Sequence, residues 1–229
     1  MISTSPRLTI DASQSVSTLF DAPPKPGACL VLAHGAGAGM THPFMAGVAA
    51  GLCERGVAVL RYQFAYMEQG SRRPDRPALA QAAVRAAVAR AADLLPGVPL
   101  FAGGKSFGGR MSSQAQAQAP MQGVRGLVFF GFPLHAVGKP SDTRAAHLAD
   151  VKVPMLFLQG SRDKLAELGL LRPVVAGLGK RATLVVVEQA DHSFHVPVRS
   201  GRRDEEVMAA LLDTVAEWMG KLAKTVAKT

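Results

Sequence analysis

The chain has 229 residues, a formal net charge of +9 at pH 7 and 48% hydrophobic residues. This composition excludes a mainly disordered chain, and this length allows a core that needs neither disulfides nor metal. No segment approaches the roughly 20 apolar residues that span a bilayer. We therefore expect one domain over residues 1–229, with its core at about 7–220 and a short flexible C-terminal tail.

The basic residues form several short groups rather than one tract. They concentrate at 72–76, 199–203 and 221–228, with little aromatic sequence between them. Stacking platforms for single-stranded nucleic acid need such aromatic residues. The sequence therefore predicts no specific nucleic-acid partner, and it leaves open whether these residues are a solvated surface or bind an anion.

The N-terminal residues 1–16 lack the basic start and apolar stretch of a signal peptide. Cys29 and Cys53 both lie in apolar sequence and are interpreted as buried, unpaired thiols. We expect a cytoplasmic protein without a membrane segment, either a monomer or a homodimer.

Short apolar runs alternate with helical patterns along the chain, which is typical of parallel strands joined by helices. Two short segments at 7–12 and 15–20 predict an antiparallel edge. The later runs are continuously apolar, as expected for strands covered on both faces. We predict a mostly parallel, doubly wound sheet of about eight strands; the later runs lie at 29–34, 57–62, 98–103, 126–131, 153–159 and 182–188.

Three segments have the periodicity or position of helices that cover this sheet. Residues 78–95 and 204–223 carry apolar side chains at helical spacing, and residues 106–119 follow a glycine-rich turn. The loops after the strands are short. We therefore expect no large lid domain.

The strongest chemical signal is a G-x-S-x-G pattern at Gly104–Gly108, with Ser106 at its centre. It follows an apolar strand and opens a helix, which is the context of a nucleophile elbow. A phosphate-binding loop would need glycine at position 99, where the chain has Pro99. Nucleotide binding is therefore a poor second interpretation.

Two further candidates follow later strands. Asp163 comes after the run at 153–159, and His192 comes after the run at 182–188. Carboxyl ends of parallel strands collect functional groups at one edge of a sheet, and the order Ser, Asp, His is that of α/β-hydrolases. We expect Ser106 as nucleophile, His192 as base and Asp163 as acid; Asp191 is a competing acid, although its adjacency to His192 places it badly.

The glycine-rich run after the first core strand, His34–Gly39, is suited to an oxyanion hole. We expect backbone donors from Ala36 and Phe107, and His34 as a residue that shapes the loop. The run lacks the dinucleotide spacing G-x-G-x-x-G, because position 40 is Met. Predicted wall residues of the substrate site are Met40, Phe44, Phe64, Phe132 and Phe194, with Tyr62 and Phe107 as further candidates.

Two arginines lie near the same strand and helix ends. Arg61 and Arg110 could bind an anionic substrate group or could form structural ion pairs. The histidines share no ligand spacing with acidic residues, so the sequence predicts no metal and no cofactor.

The segments LVLAHGAGAG, GGKSFGGRM, LQGSRDKL and ADHSFH resemble a small α/β-hydrolase-like family that includes a testis-expressed protein and a subunit of a chromatin-acetylating complex. The chain is more distantly similar to dienelactone hydrolases, which carry cysteine where this chain has Ser106. The resemblance covers about residues 7–220 and implies the α/β-hydrolase fold and the triad named above.

Two classes of function follow. The first is a serine hydrolase that cleaves an ester, thioester or related acyl bond of a small molecule. The second is a non-catalytic binding or scaffold protein on a hydrolase fold. A complete triad favours the first class, and fold alone does not specify a substrate.

Overall fold

The computed structural model describes residues 2–4 and 7–225, in which nine strands form one mixed sheet with helices on both faces. The strands are β1 (Ile2–Thr4), β2 (Arg7–Thr9), β3 (Ser15–Ala22), β4 (Ala28–Ala33), β5 (Val57–Tyr62), β6 (Leu100–Lys105), β7 (Val124–Phe130), β8 (Met155–Gly160) and β9 (Ala182–Val187).

Six α-helices connect or flank these strands in the described part of the chain. They are α1 (Pro43–Glu54), α2 (Ala65–Glu68), α3 (Pro77–Leu94), α4 (Phe107–Gln118), α5 (Leu168–Gly177) and α6 (Asp204–Thr225). A 3₁₀ helix covers Thr143–Asp150, and two one-turn 3₁₀ helices lie at Gly179–Arg181 and Val198–Ser200.

The strand order is β1-β3-β5-β4-β6-β7-β8-β9, and β2 also pairs with β3. Strands β4 to β9 pair in parallel, whereas β1, β2 and β3 pair antiparallel at one end of the sheet. The predicted mostly parallel sheet with an antiparallel edge is confirmed. The sequence did not indicate β1, which lies upstream of the expected start of the core.

Two apolar cores lie on opposite faces of the sheet. Along β4, Cys29 and Val31 join the core under α3 and α4, while Leu30 and Leu32 join the core under α1 and α6. Alternate side chains of a strand point to opposite faces. Strands buried on both faces must be apolar throughout, which explains the continuous runs in the sequence.

The three predicted helices correspond to α3, α4 and α6, and α1, α2 and α5 had no predicted counterpart. Helix α6 extends through Thr225, so helix continues past Gly220, where a flexible tail was expected. Residues 226–229 of that tail lie outside the described residues. Both cysteines are buried and unpaired. Among the described helices, none is both long and apolar enough to cross a membrane.

Candidate active site

The turn between β6 and α4 holds Ser106 in an uncommon backbone conformation. Its φ is 50° and its ψ is −114°. A residue with a side chain at positive φ costs of order 1–3 kcal/mol, which neighbouring structure must support. Here the Ser106 amide donates to the carbonyl oxygen of Phe130 on the adjacent strand (3.2 Å), and α4 begins at the next residue. The strained turn is what a nucleophile elbow requires.

The glycines of the G-x-S-x-G pattern are needed because β4 passes very close to the turn. A Cβ atom at Gly104 would lie 2.2 Å from the carbonyl oxygen of Ala33. A Cβ atom at Gly108 would lie 2.6 Å from the carbonyl oxygens of both Ala33 and His34. The pattern therefore lets the end of β4 and the start of α4 meet beside the serine.

Substituting Gly104 with alanine should lower the free energy of unfolding by about 3 kcal/mol, because the new methyl group overlaps the backbone of Ala33. Gly47 gives a matched control, since it is exposed in α1 and a Cβ there would meet nothing within 4 Å. Gly47→Ala should raise stability by about 0.5–1 kcal/mol. Urea unfolding measures both variants, and equal stability of the two would contradict the close approach.

The loop after β9 brings His192 onto a buried carboxylate. His192 Nδ1 lies 2.6 Å from Asp163 Oδ2, and the Asp163 side chain is fully buried. Asp163 Oδ1 accepts from the backbone amide of Leu165 (2.8 Å), and Oδ2 also accepts from the side-chain amide of Gln159. His192, Leu165 and Gln159 thus place three hydrogen-bonding groups around this carboxylate.

The competing carboxylate, Asp191, is engaged elsewhere. Its Oδ1 accepts from the backbone amides of Ser193 (2.8 Å) and His195 (3.0 Å). These bonds close the turn that carries His192. Asp191 thus shapes the loop, while Asp163 meets the histidine ring.

Ser106 and His192 line one cavity of about 470 Å³ at the carboxyl edge of the sheet. Among the hydrogen bonds of residues 7–225, none joins the Ser106 hydroxyl to His192, so the direct contact expected between nucleophile and base is not formed in this structure. The rest of the wall comes from the loop 35–38 and from the side chains of His42, Phe44, Met45, Lys105, Leu165 and Ser193. A second cavity adjoins it, sharing Leu165 and His192.

Hydrogen bonds from side chains to its carbonyl oxygens hold the loop after β4 in place. The Tyr66 hydroxyl donates to the carbonyl oxygen of Ala36 (2.9 Å), and His34 Nδ1 lies 2.7 Å from the carbonyl oxygen of Gly35. The other His34 ring nitrogen, Nε2, accepts from the amide of Phe64 (3.0 Å). Burial lowers the pKa of His34 to about 4, so the ring is neutral at pH 7 with its proton on Nδ1. His34 lies where it shapes the loop.

The two expected oxyanion donors belong to two segments near Ser106, the loop after β4 and the start of α4. Ala36 lines the cavity in the loop after β4. Phe107 is the first residue of α4, so its amide is among the first-turn groups that have no partner within the helix. Helix N-termini favour negative charge at this position.

Of the predicted wall residues, only Phe44 lines the cavity among the described residues. Met40, Phe64, Phe132 and Phe194 are buried, as are Tyr62 and Phe107. Phe64 packs edge-on against Phe107 and His34, and Phe132 packs against other rings of the core. Large aromatic side chains gain much free energy by complete burial, which explains why these residues lie in the core instead of lining the cavity.

The two arginines have structural partners. Arg61 is buried and pairs with Asp21 (2.6 Å), and it also donates to the carbonyl oxygen of Met40 (3.0 Å). The Arg110 guanidinium lies 5.9 Å from the Phe107 ring centre, and burial, with Arg144 nearby, lowers its pKa. Neither arginine lines the cavity that holds Ser106.

Another serine and histidine do meet in this structure. Ser113 Oγ lies 2.7 Å from His147 Nε2, and it donates its proton to the carbonyl oxygen of Arg110 (2.9 Å). Neither Ser113 nor His147 lines the cavity that holds Ser106 and His192. Ser113 is also completely buried. The pair is therefore structural.

The described residues contain no group of three or more His, Cys, Asp or Glu side chains that could hold a metal ion.

Residues 26–220 match the family model described as the alpha/beta hydrolase domain, and the chain belongs to this family. Solved structures agree with that fold. A dienelactone hydrolase from Anabaena variabilis is 20% identical, with a TM-score of 0.78 and coverage of 95% of this chain and 96% of that one.

Two further structures are similar over nearly their whole length. A serine hydrolase described as being without a lid, from Xanthomonas campestris, is 22% identical with a TM-score of 0.73, and 94% of each chain is covered. Est1E from Butyrivibrio proteoclasticus is 16% identical with a TM-score of 0.67, covering 93% of this chain and 99% of that one. The expected α/β-hydrolase fold, without a large lid domain, is confirmed.

Proposed function

We propose that this chain is a single-domain serine hydrolase that cleaves an ester, thioester or related acyl bond. One arrangement carries the proposal. A serine on a strained strand-to-helix turn shares a cavity with a histidine, and a buried carboxylate holds that histidine. This is the constellation of a nucleophile, a base and the acid that orients the base.

The proposed reaction begins when Ser106 Oγ attacks the acyl carbonyl carbon and His192 Nε2 takes the hydroxyl proton. The C–O or C–S bond to the leaving group then breaks, and His192 returns the proton to that group. Water attacks the acyl-serine by the same route and releases the acid. Asp163 accepts from His192 Nδ1–H throughout, which fixes the tautomer with Nε2 free and stabilises the imidazolium.

The oxyanion formed in both steps lies next to two backbone donors in this proposal. Ala36 lines the same cavity as Ser106 in the loop after β4, and Phe107 follows Ser106 in the first turn of α4. Donors held in place before the reaction stabilise developing charge without reorganisation. This role explains why the loop is anchored through Tyr66 and His34.

The size and the apolar wall of the cavity favour substrates with small acyl groups. It has an open volume of about 470 Å³, and Phe44, Met45 and Leu165 supply apolar wall. The aromatic residues that would have deepened it are buried in the core. We therefore expect turnover of short-chain esters in preference to long-chain ones.

A panel of matched esters and thioesters of increasing acyl length tests this function, together with labelling by a fluorophosphonate probe. We expect labelling, and we expect kcat/KM to be highest for short acyl chains. If the folded protein is neither labelled nor active on any acyl substrate, the non-catalytic binding protein becomes the better explanation.

A further inference from the structure

Lys105 is the last residue of β6 and directly precedes Ser106, yet its side chain turns toward the base. Its ammonium group donates a hydrogen bond to the backbone carbonyl oxygen of His192. Lys105 also lines the cavity that contains Ser106 and His192. Neighbouring residues of one strand end therefore carry the nucleophile and contact the loop of the base.

Two aromatic rings flank the ammonium group. Lys105 Nζ lies 5.5 Å from the ring centre of Phe44 and 5.3 Å from that of Phe194. The two rings are nearly parallel, with centres 6.2 Å apart. A cation is attracted to aromatic faces at such distances, and more strongly where water is excluded. The rings thus hold the ammonium in one place.

Gly131, which follows β7, leaves the space in which Lys105 and His192 approach each other. Its φ is 72°, and a Cβ atom there would lie 3.0 Å from Lys105 Nζ and 3.1 Å from His192 Nδ1. The position thus combines a backbone conformation that suits glycine with a close approach of two functional groups. A side chain at this point would separate the lysine from the histidine.

Desolvation of the Lys105 ammonium group is costly, although the residue as a whole is only half-buried. Burial lowers the pKa of Lys105 to about 8, and the nearby carboxylates of Asp163 and Asp191 oppose that lowering. None of the ion pairs among the described residues includes Lys105. A lysine with an exposed head would avoid the desolvation cost, so stability alone does not explain its placement.

We propose that Lys105 is a positioning residue of the catalytic centre, whose ammonium group ties the main chain of His192 to the strand that carries Ser106. The inference rests on the proposed function, since it assigns His192 as the base. Lys105 acts through His192 and does not contact the reacting atoms. Without this tie, the loop of His192 becomes mobile, which loosens both the hydrogen bond of the ring to Asp163 and its distance from Ser106.

This role gives the alkaline side of the pH profile a specific cause. The groups that face Lys105 are the carboxylates of Asp163 and Asp191 and the backbone carbonyl of His192. As the pH rises through about 8, the ammonium becomes a neutral amine, which donates a weaker hydrogen bond and loses its attraction to the rings. We expect kcat/KM of the wild-type protein to fall about fivefold there.

The test compares Lys105→Met, which keeps the length of the stem, with Lys105→Arg, which keeps the charge and the donors. Lys105→Met should lower kcat by about 10²-fold with little change in KM, as misplaced catalytic groups do. Its profile should also lack the alkaline fall near pH 8. Lys105→Arg should recover most of the activity and keep it to higher pH, since arginine stays charged. Lys180→Met, at an exposed site far from the cavity, is the matched control.

A measurement independent of turnover separates this inference from the proposed function. The downfield proton resonance of His192 Nδ1–H, bonded to Asp163, should weaken in Lys105→Met, persist in Lys105→Arg and weaken in the wild type above pH 8. This resonance tests the role of Lys105 even if the protein hydrolyses no substrate. If Lys105→Met does not fold, the pH titration of the wild-type resonance provides the same test. A folded Lys105→Met variant with wild-type kcat and an unchanged resonance overturns the proposal, as does a wild-type resonance unaltered to pH 10.

Discussion

Replacing Ser106 with alanine should abolish fluorophosphonate labelling and reduce kcat by about 10⁶-fold, which is the size of loss seen when a hydrolase nucleophile is removed. The reason is that the acyl-enzyme cannot form without Ser106 Oγ, and the remaining donors can only stabilise attack by water. Circular dichroism and thermal unfolding should show an intact fold, since Ser106 Oγ supports no other residue through a hydrogen bond within residues 7–225. Covalent labelling followed by mass spectrometry measures the result directly.

Ser113→Ala is the sharpest control for this experiment, because Ser113 is the serine that does contact a histidine. We expect labelling and turnover to persist in this variant. It should lose about 1 kcal/mol of stability, since His147 loses its hydrogen-bond partner in a buried site. Loss of labelling in Ser113→Ala with retention in Ser106→Ala would reject the assignment of the nucleophile.

Asp163→Asn should reduce kcat by about 10⁴-fold while the protein remains folded. The carboxylate accepts from His192, Leu165 and Gln159. Asparagine replaces one carboxylate oxygen with an NH₂ group. This group is itself a donor and must then face one of the three donors. If it faces His192, the ring takes the opposite tautomer, and Nε2 can no longer accept the serine proton. Steady-state kinetics at pH 7 measures the effect.

Asp191→Asn separates the two carboxylates. Asparagine keeps an oxygen that can accept from the amides of Ser193 and His195, so the loop should retain its shape. We expect a far smaller loss of kcat than in Asp163→Asn. The reverse ranking of the two variants would make Asp191 the acid and would leave the Asp163–His192 hydrogen bond as a structural contact.

Around the turn that carries Ser106, the residues needed for stability differ from those needed for the proposed activity. Gly104 and Gly108 permit β4 and α4 to approach, so their substitution acts first on folding. In the proposed mechanism Ser106 and Asp163 take part in the chemistry, so their substitution should leave most of the stability. Substitution of Lys105 affects both packing and the proposed active site. Its test therefore needs a charge-retaining variant and a spectroscopic signal as well as turnover.

Much of the site could be predicted from local sequence because each part depends on a strand end. Ser106, Asp163 and His192 each follow an apolar run, and carboxyl ends of parallel strands meet at one edge. The glycines at 104 and 108 mark a close approach that only glycine allows. The sheet was predictable for a similar reason, since burial on both faces requires continuous apolar sequence.

The sequence by itself determined the fold class and the order of the candidate catalytic residues, because both depend on local patterns that repeat at each strand. Only the tertiary structure decided which aromatic residues face the cavity, since Phe44 and Phe194 differ in their surroundings and not in their chemistry. It likewise paired Arg61 with Asp21 and turned Lys105 toward His192. These contacts join residues 40 and 87 positions apart, and the energy of such a contact depends on packing between distant segments that no local pattern records.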